Sequence, residues 1–370
     1  MEGKGDDQLP ERRAKRLKYD AIVVGASFAG LAVAGQLKGK ILLLDRKEIG
    51  TGQTSACGTL LSVIEALGAE ECVLQVQETI VLHTTHKVIE YRLTYPFCTF
   101  DYGKLCRLLA ERTTAEFVRA TVRGVNGRAV ITNREAFTGR ILVDASGWRA
   151  ALGREKRADL VDRSCLNFGL ETLVAWQDDG LHFWYDPPRL LPKGVTWLFP
   201  CGDKSRIGIG SYVGETKLCQ GLEAFLGQRY LEMNSLHGGY FPYALRQPTV
   251  GNIFLVGDAA GQCLGFTGEG IRNALYFGTA CGRIVQRVIE GQVSLEDGLA
   301  EYRLFVERHR LFFSILFWVQ KLLTNLPLPL MEWIMVLASR PSILHPVMRL
   351  YERAFDPALL INQGNGQDEE

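Results

Sequence analysis

The sequence predicts an α/β chain: a doubly wound parallel sheet, an antiparallel sheet inserted into it, and a helical C-terminal region. Three observations predict this. Short apolar runs end in glycine-rich turns near residues 25, 147 and 257, runs between them read as half-buried strands, and the chain beyond residue 301 becomes apolar with helical character.

The first element is the apolar run Ala21-Ile22-Val23-Val24, which follows Tyr19 and ends in Gly25-Ala26-Ser27-Phe28-Ala29-Gly30. Small apolar residues at helical spacing continue to Leu37. A second run, Ile41 to Leu44, closes on Asp45, about 20 positions past the first glycine, and completes a βαβ unit of the Rossmann type. Such a unit binds anions through its backbone. Gly25 permits the sharp turn, Gly30 lets helix and strand pack closely, and the helix start offers N–H groups and positive dipole to a pyrophosphate. Asp45 can accept both hydroxyls of an adenosine ribose. Ser27 replaces the middle glycine of the GxGxxG pattern, so taken alone the motif is weak, and a glycine turn with no ligand is its plain alternative.

The second and third elements repeat this logic. Arg140 to Val143 ends in Asp144-Ala145-Ser146-Gly147, an apolar strand closing on an acid and a glycine turn. Ile253 to Val256 ends in Gly257-Asp258-Ala259-Ala260-Gly261, followed by Gly265 to Ile271 and a helical stretch from Arg272 to Gln286. Asp258 can bind a ribityl hydroxyl. The backbone of Gly268, Gly270 and Ile271, at a helix start, can face a ring that carries developing negative charge.

Together, these three turns resemble the signatures of the FAD-dependent oxidoreductase group that contains p-hydroxybenzoate hydroxylase and the geranylgeranyl reductases. The resemblance spans most of Tyr19 to Arg287. It implies FAD as cofactor, with Gly25, Ala26, Ser27, Gly30, Asp45, Arg46, Val122, Asp144, Gly147, Asp258, Gly268, Gly270 and Ile271 as its binding residues. Val195-Thr196-Trp197-Leu198-Phe199-Pro200, with Gly208 and Gly210 after it, looks like the substrate strand of geranylgeranyl reductases, which makes Trp197, Phe199 and Pro200 the pocket candidates. Val195 stands there in place of an aromatic residue. Ala56-Cys57-Gly58 looks like the turn facing the isoalloxazine, and Phe100-Asp101 before Leu105 resembles the helix that follows the first substrate strands. By this resemblance Cys57 is the catalytic candidate, a thiol able to give the proton an alkene needs beside hydride; its plain alternative is a buried small hydrophobe. For Trp197 and Phe199 the alternative is core packing.

At 370 residues the chain exceeds one ordinary core. The expected division is a basic tail over 1–18, an FAD domain from 19–67, 99–160 and 248–295, a substrate domain from 68–98 and 161–247, and a helical region over 296–370. Hydrophobic residues at 47%, charged residues at 22% and a net charge of +1 give no field for gathering nucleic acid. The nine cysteines form no CxxC pair or metal-ligand cluster, and no metal is expected. Their odd number, with no apolar leader, points to a cytoplasmic protein. His83 and His182 read as hydrogen-bonded strand residues. The apolar run Leu311 to Val319 is too short to span a bilayer before Gln320 and Lys321, and the prolines at 327 and 329 are expected to break the apolar segment beyond them. Buried packing and an interfacial helix pair that admits lipid, peripheral to a membrane, both stay open for this region.

The resemblance implies a reductase that delivers hydride from flavin to carbon-carbon double bonds of a polyprenyl lipid or related apolar substrate. No second GxGxxG unit appears, so electrons are expected from a docking NAD(P)H or from ferredoxin. Two other readings stand beside it: a flavin monooxygenase or halogenase of an aromatic or polyketide substrate, and a flavoprotein relaying electrons to quinone.

Overall fold

The computed structural model describes residues 18–185 and 193–361. The basic tail expected over 1–18 lies outside the described residues except for Lys18.

The first sheet has a parallel core of five strands in the order Ile253–Leu255, Ala136–Asp144, Lys18–Val24, Ile41–Asp45 and Glu116–Arg119. Ala21–Val24, Ile41–Leu44, Ile141–Val143 and Ile253–Leu255 are buried apolar runs, as strands covered on both faces are, while Glu116–Arg119 at the edge is exposed at both ends. Thr249–Val250 adds an antiparallel edge, and the hairpin Val122–Asn126 with Ala129–Thr132 folds onto Ala136–Asp144. The helix Phe28–Ala34 is shorter than its spacing suggested. Its last turn tightens: Gln36 N–H bonds to Val33 O and Leu37 N–H to Ala34 O, three residues back. The long helix Ile271–Ile289 packs against it, with Gly278 and Gly282 allowing close approach.

A second, eight-stranded sheet runs Leu236–Pro242, Leu166–Val174, Ser205–Ser211, Gly194–Pro200, Leu181–Trp184, Val73–His83, Val88–Phe100 and Gly58–Leu60. The residues expected as two separate inserts thus form one sheet, which also takes Gly58–Leu60 because Gly58 pairs with Thr99. Leu181–Trp184 lies parallel to Val73–His83; the other pairings are antiparallel. The helix Cys219–Gly227 covers one face, its Leu222, Phe225 and Leu226 meeting Leu198, Ile207 and Ile209. On the opposite face Arg206 donates to Ala56 O at 3.1 Å and Phe100 O at 3.3 Å.

Four helices follow, Leu295–Glu307, Arg310–Leu323, Leu328–Ala338 and Pro341–Arg353. The prolines expected to break the apolar segment do so and also begin structure, Pro327 as the cap of the third helix and Pro329 in its first turn, as Pro341 stands at the start of the fourth. In a first turn the missing N–H has no helical partner to lose. Among the described residues no helix is long and apolar enough to cross a membrane. Gln320, which interrupts the apolar run in the sequence, is buried; its amide bridges Asn167 on the second sheet and the backbone N–H of Phe266.

Candidate cofactor and substrate site

Register brings the three glycine turns together. Val24 pairs with Asp144, and Asp144 with Leu255, so the turns leave the carboxyl ends of three neighbouring parallel strands at one level. That edge is where open α/β sheets bind ligands. The turns touch: a Cβ on Gly25 would lie 2.1 Å from Ala145 O, one on Gly30 1.7 Å from Gly25 O, and one on Gly257 2.8 Å from the Ala29 Cβ. Gly25 also has φ +109, a conformation L residues rarely adopt. The backbone is therefore bared where a long anionic ligand would lie. Asp45 holds its end of the edge by accepting from Ala26 N–H at 2.8 Å and Lys47 N–H at 2.9 Å. Arg46 beside it is exposed, and Val122 opens the hairpin two residues past Ala120, whose N–H bonds to Asp45 O. Ser27 Oγ lies 3.3 Å from the Tyr102 hydroxyl. Tyr102 opens the helix Tyr102–Glu111, capped by Asp101 accepting from Lys104 N–H.

The two other acids differ. Asp144 is fully buried, and its carboxylate accepts from Ser146 N–H and Oγ–H and from Leu152 and Gly153 N–H, all within 3.1 Å. Burial pushes its carboxyl up while these four donors pull it down. Each hydrogen bond to a charged group is worth about 1.5–3 kcal/mol, enough together to hold a carboxylate out of water. Asp144 thus shapes the loop that carries Gly147, at φ +81. Asp258 has no hydrogen bond to its side chain among the described residues. Burial pushes its carboxyl up to about 6, Arg246 nearby countering this, and Gly270 follows so closely that a Cβ there would stand 3.8 Å from Asp258 Oδ1. An acid half-buried without a partner at the start of the helix Ile271–Ile289 fits the hydroxyls of an FAD side chain.

Asp258 also makes stability depend on pH. Its folded pKa lies above the unfolded value, so flavin-free protein loses stability as pH rises from about 4 through about 6, once the buried carboxyl must ionise. Asp258→Asn should raise the melting temperature of flavin-free protein at pH 7.5, and the gain should vanish toward pH 4; a gain independent of pH would refute it.

Gly268, at φ +65, and Gly270 carry the loop toward the second sheet, where the Phe241 ring is 3.7 Å from the position of a Cβ on Gly268. Facing this loop is the side of that sheet opposite the helix Cys219–Gly227. Trp197 lies flat across it because Gly208 and Gly210 have no side chains: a Cβ on Gly208 would stand 2.1 Å from the indole. Phe199 packs edge-on to Phe97 and Phe183, and its ring would meet a Cβ on Gly58 at 3.0 Å. Pro200 O accepts from Thr99 Oγ1 at 2.6 Å. Cys57, at φ +53, is fully buried; its thiol donates to Ser55 O at 3.3 Å, and burial pushes it well above the ordinary thiol range. A thiol so held is neutral and a weak acid.

Behind the loop, Arg272 is fully buried. Its Nη2 donates to Glu269 Oε2 at 2.9 Å and its Nη1 to Tyr351 O at 3.1 Å, with the Tyr351 and Phe355 rings against the guanidinium. Sequence reasoning passed over Arg272, Gln320, Glu171 and His237, none of which sits in a recognisable motif. His83 and His182 bond to each other at 2.9 Å on the strands Val73–His83 and Leu181–Trp184.

No family model matches the chain. Over 336 residues it is 24% identical to the digeranylgeranylglycerophospholipid reductase of Methanococcus vannielii, covering 81% of this chain and 85% of that protein. The protein of that name from Methanocaldococcus jannaschii is 24% identical over 331 residues, 79% and 83% of the two chains. Among solved structures, a geranylgeranyl bacteriochlorophyll reductase-like protein from Thermoplasma acidophilum superposes with a TM-score of 0.78 at 19% identity, over 93% of this chain and 98% of that one. The p-nitrophenol 4-monooxygenase of Pseudomonas putida gives 0.73 at 12% identity, over 91% and 98%.

Fold, strand-end site and relatives make the chain an FAD-dependent oxidoreductase. The resemblance to geranylgeranyl reductases carried by its motifs is borne out by these relatives.

Proposed function

We propose that the chain reduces carbon-carbon double bonds in the polyprenyl chains of a lipid. The carrying observation is the aromatic floor of Trp197, Phe199 and Phe241 set opposite the Gly268–Gly270 loop, in a chain whose relatives over four fifths of its length are named for such a reduction. FAD, once reduced, supplies hydride from its ring. Gly25, Ala26, Ser27 and Gly30 receive the pyrophosphate, Asp45 with Arg46 and Val122 the adenosine end, and Asp258 the ribityl hydroxyls. Asp144 and Gly147 shape the neighbouring loop, while Gly268, Gly270 and Ile271 border the ring. Trp197 and Phe199 line the space for an isoprene unit and exclude water from it, while Pro200, expected beside them, alternates to the face of Leu198 under the helix Cys219–Gly227. Electrons arrive from NAD(P)H or ferredoxin docking transiently.

The decisive experiment reduces the holoenzyme anaerobically and adds a geranylgeranyl glycerolipid. Flavin absorbance should return with loss of one double bond per flavin, and reduced enzyme meeting oxygen alone should reoxidise in one phase to hydrogen peroxide. A transient oxygen-dependent absorbance, with no reoxidation by lipid, would favour the monooxygenase reading.

The same reading includes contact with an anionic membrane surface. Leu311, Ile315, Trp318 and Leu322 form one exposed stripe at steps of four, three and four residues, with Trp318 67% exposed; Trp333 and Leu350 on the neighbouring helices are 60% and 64% exposed. Arg310, Lys321, Arg349 and Arg353 stand on these helices and Arg308 and Arg340 flank them, against Glu332 and Glu352, with Arg310 paired to Glu307. Holoenzyme should float with phosphatidylglycerol vesicles and much less with phosphatidylcholine, and Leu311→Ser with Trp318→Ser should abolish flotation. Retained flotation, or a dimer that the double variant dissociates, would count against the membrane.

A further inference from the structure

One row across four adjacent strands of the second sheet reads Trp197, Gly208, Glu171, His237. Glu171 is buried, 3% exposed, yet it is a carboxylate in an aromatic wall. Trp197 Nε1–H donates to its Oε2 at 2.8 Å, and His237 Nε2–H to its Oε1 at 2.9 Å. Gly208 makes this possible, since only a bare strand lets the indole lie flat enough for its N–H to reach past Gly208 to Glu171. A charge of this kind costs several kcal/mol to bury, which makes it a poor choice for packing alone. With Nε2–H committed to Glu171, His237 keeps Nδ1 free of partners among the described residues, and its side chain is 25% exposed. Among the described residues, Arg206 is the other charged group on this face, turned away to Ala56 O and Phe100 O.

The chemistry needs such a group. An isoprene double bond has no carbonyl to polarise it, so hydride adds only as a proton reaches the other carbon, and positive charge develops at the more substituted one. An indole face attracts that charge. Cys57, neutral and bonded to Ser55 O, is a weak source for the proton.

Resting on the reductase reading, we propose that His237 is the proton donor of the reaction, held by Glu171, with Trp197 both fixing that carboxylate and facing the developing cation. His237 acts as the imidazolium, protonated on both nitrogens: the alkene π pair takes the Nδ1 proton and forms one C–H bond, the N–H electrons stay on the ring, and neutral imidazole remains with Nε2–H on Glu171. Hydride, with its two electrons, closes the other carbon and leaves the flavin oxidised. His237 regains its proton from water. Glu171 is a positioning residue here, setting the tautomer as the carboxylate of a Ser-His-Asp triad does.

The test uses holoenzyme variants His237→Ala, Glu171→Gln and Cys57→Ala, each first checked for flavin content and for oxygen reoxidation, which all should keep. Reoxidation by a geranylgeranyl glycerolipid should slow by about 100-fold or more in His237→Ala, with added imidazole restoring at least about tenfold, and by about tenfold in Glu171→Gln. Cys57→Ala should stay within about threefold of wild type, the size expected of lost packing rather than a lost acid. Independently of turnover, 15N NMR of the oxidised holoenzyme should show neutral His237 as the Nε2–H tautomer, and a mixture in Glu171→Gln. An unchanged rate in His237→Ala, slowing that imidazole does not relieve, or an Nδ1–H tautomer overturns the assignment. If wild-type flavin is not reoxidised by the lipid, the reductase reading falls instead.

Discussion

Gly208→Val is expected to remove prenyl turnover almost completely while leaving the flavin in place. Valine suits a strand, so the sheet keeps its register, but its Cβ would occupy the position 2.1 Å from the Trp197 indole. The ring must lift off the strand, withdrawing its N–H from Glu171 and filling the space opposite the Gly268 loop. Displacement of about 1 Å near a reacting centre can cost about 100-fold, and this one is larger. Single-turnover reoxidation by lipid, measured beside flavin content, checks it. A variant that turns over normally with bound flavin would show that the flat indole does not form the substrate floor.

Gly25→Val should give folded, colourless protein. Two effects combine there: φ +109, a strain of about 1–3 kcal/mol for an L residue, and a Cβ 2.1 Å from Ala145 O, which no side-chain movement relieves because the obstacle is backbone. The strand ends must part, and the anion cradle with them. Gly251→Ala is the control, since Gly251 also has positive φ, at +57, but open space around its Cβ. It should keep a full complement of flavin. Equal flavin content in both variants, with native circular dichroism, would dismiss the Gly25 turn as the cofactor cradle.

The legible part of the sequence was local. A short apolar run, a glycine and an acid occupy a dozen consecutive residues, so the three strand ends were visible. The different tasks of Asp144 and Asp258 were not visible. They depend on whether N–H groups eight and nine residues onward, those of Leu152 and Gly153, turn back to the carboxylate. Glu171 and His237 are 66 residues apart and meet only through the register of two strands. Their alternation pattern is that of any half-buried sheet. The prolines at 327 and 329 interrupt the apolar segment as expected, but that they also begin the next helix was not legible, because proline ends one helix and begins another with the same letter. Cys57 was legible as a position in a turn, but its lost acidity comes first from burial among surroundings gathered across the chain, with Glu171 and Cys106 adding to it and Arg206 opposing it.

Arg272 gives the last helix a second meaning. Its guanidinium is bound on one side to Glu269 in the loop before the helix Ile271–Ile289 and on the other to the carbonyl of Tyr351, almost 80 residues later. Cutting the chain after Ala338, the obvious way to make a less greasy protein for crystallisation or assay, would strip one wall from a buried ion pair. Losing the Tyr351 carbonyl and the two rings would leave the buried guanidinium short of partners, and the damage would fall on the loop that carries Glu269 rather than on the periphery. The outer helices are footings as well as surface, and solubility is better sought by replacing Leu311, Trp318 or Trp333 one at a time than by shortening the chain.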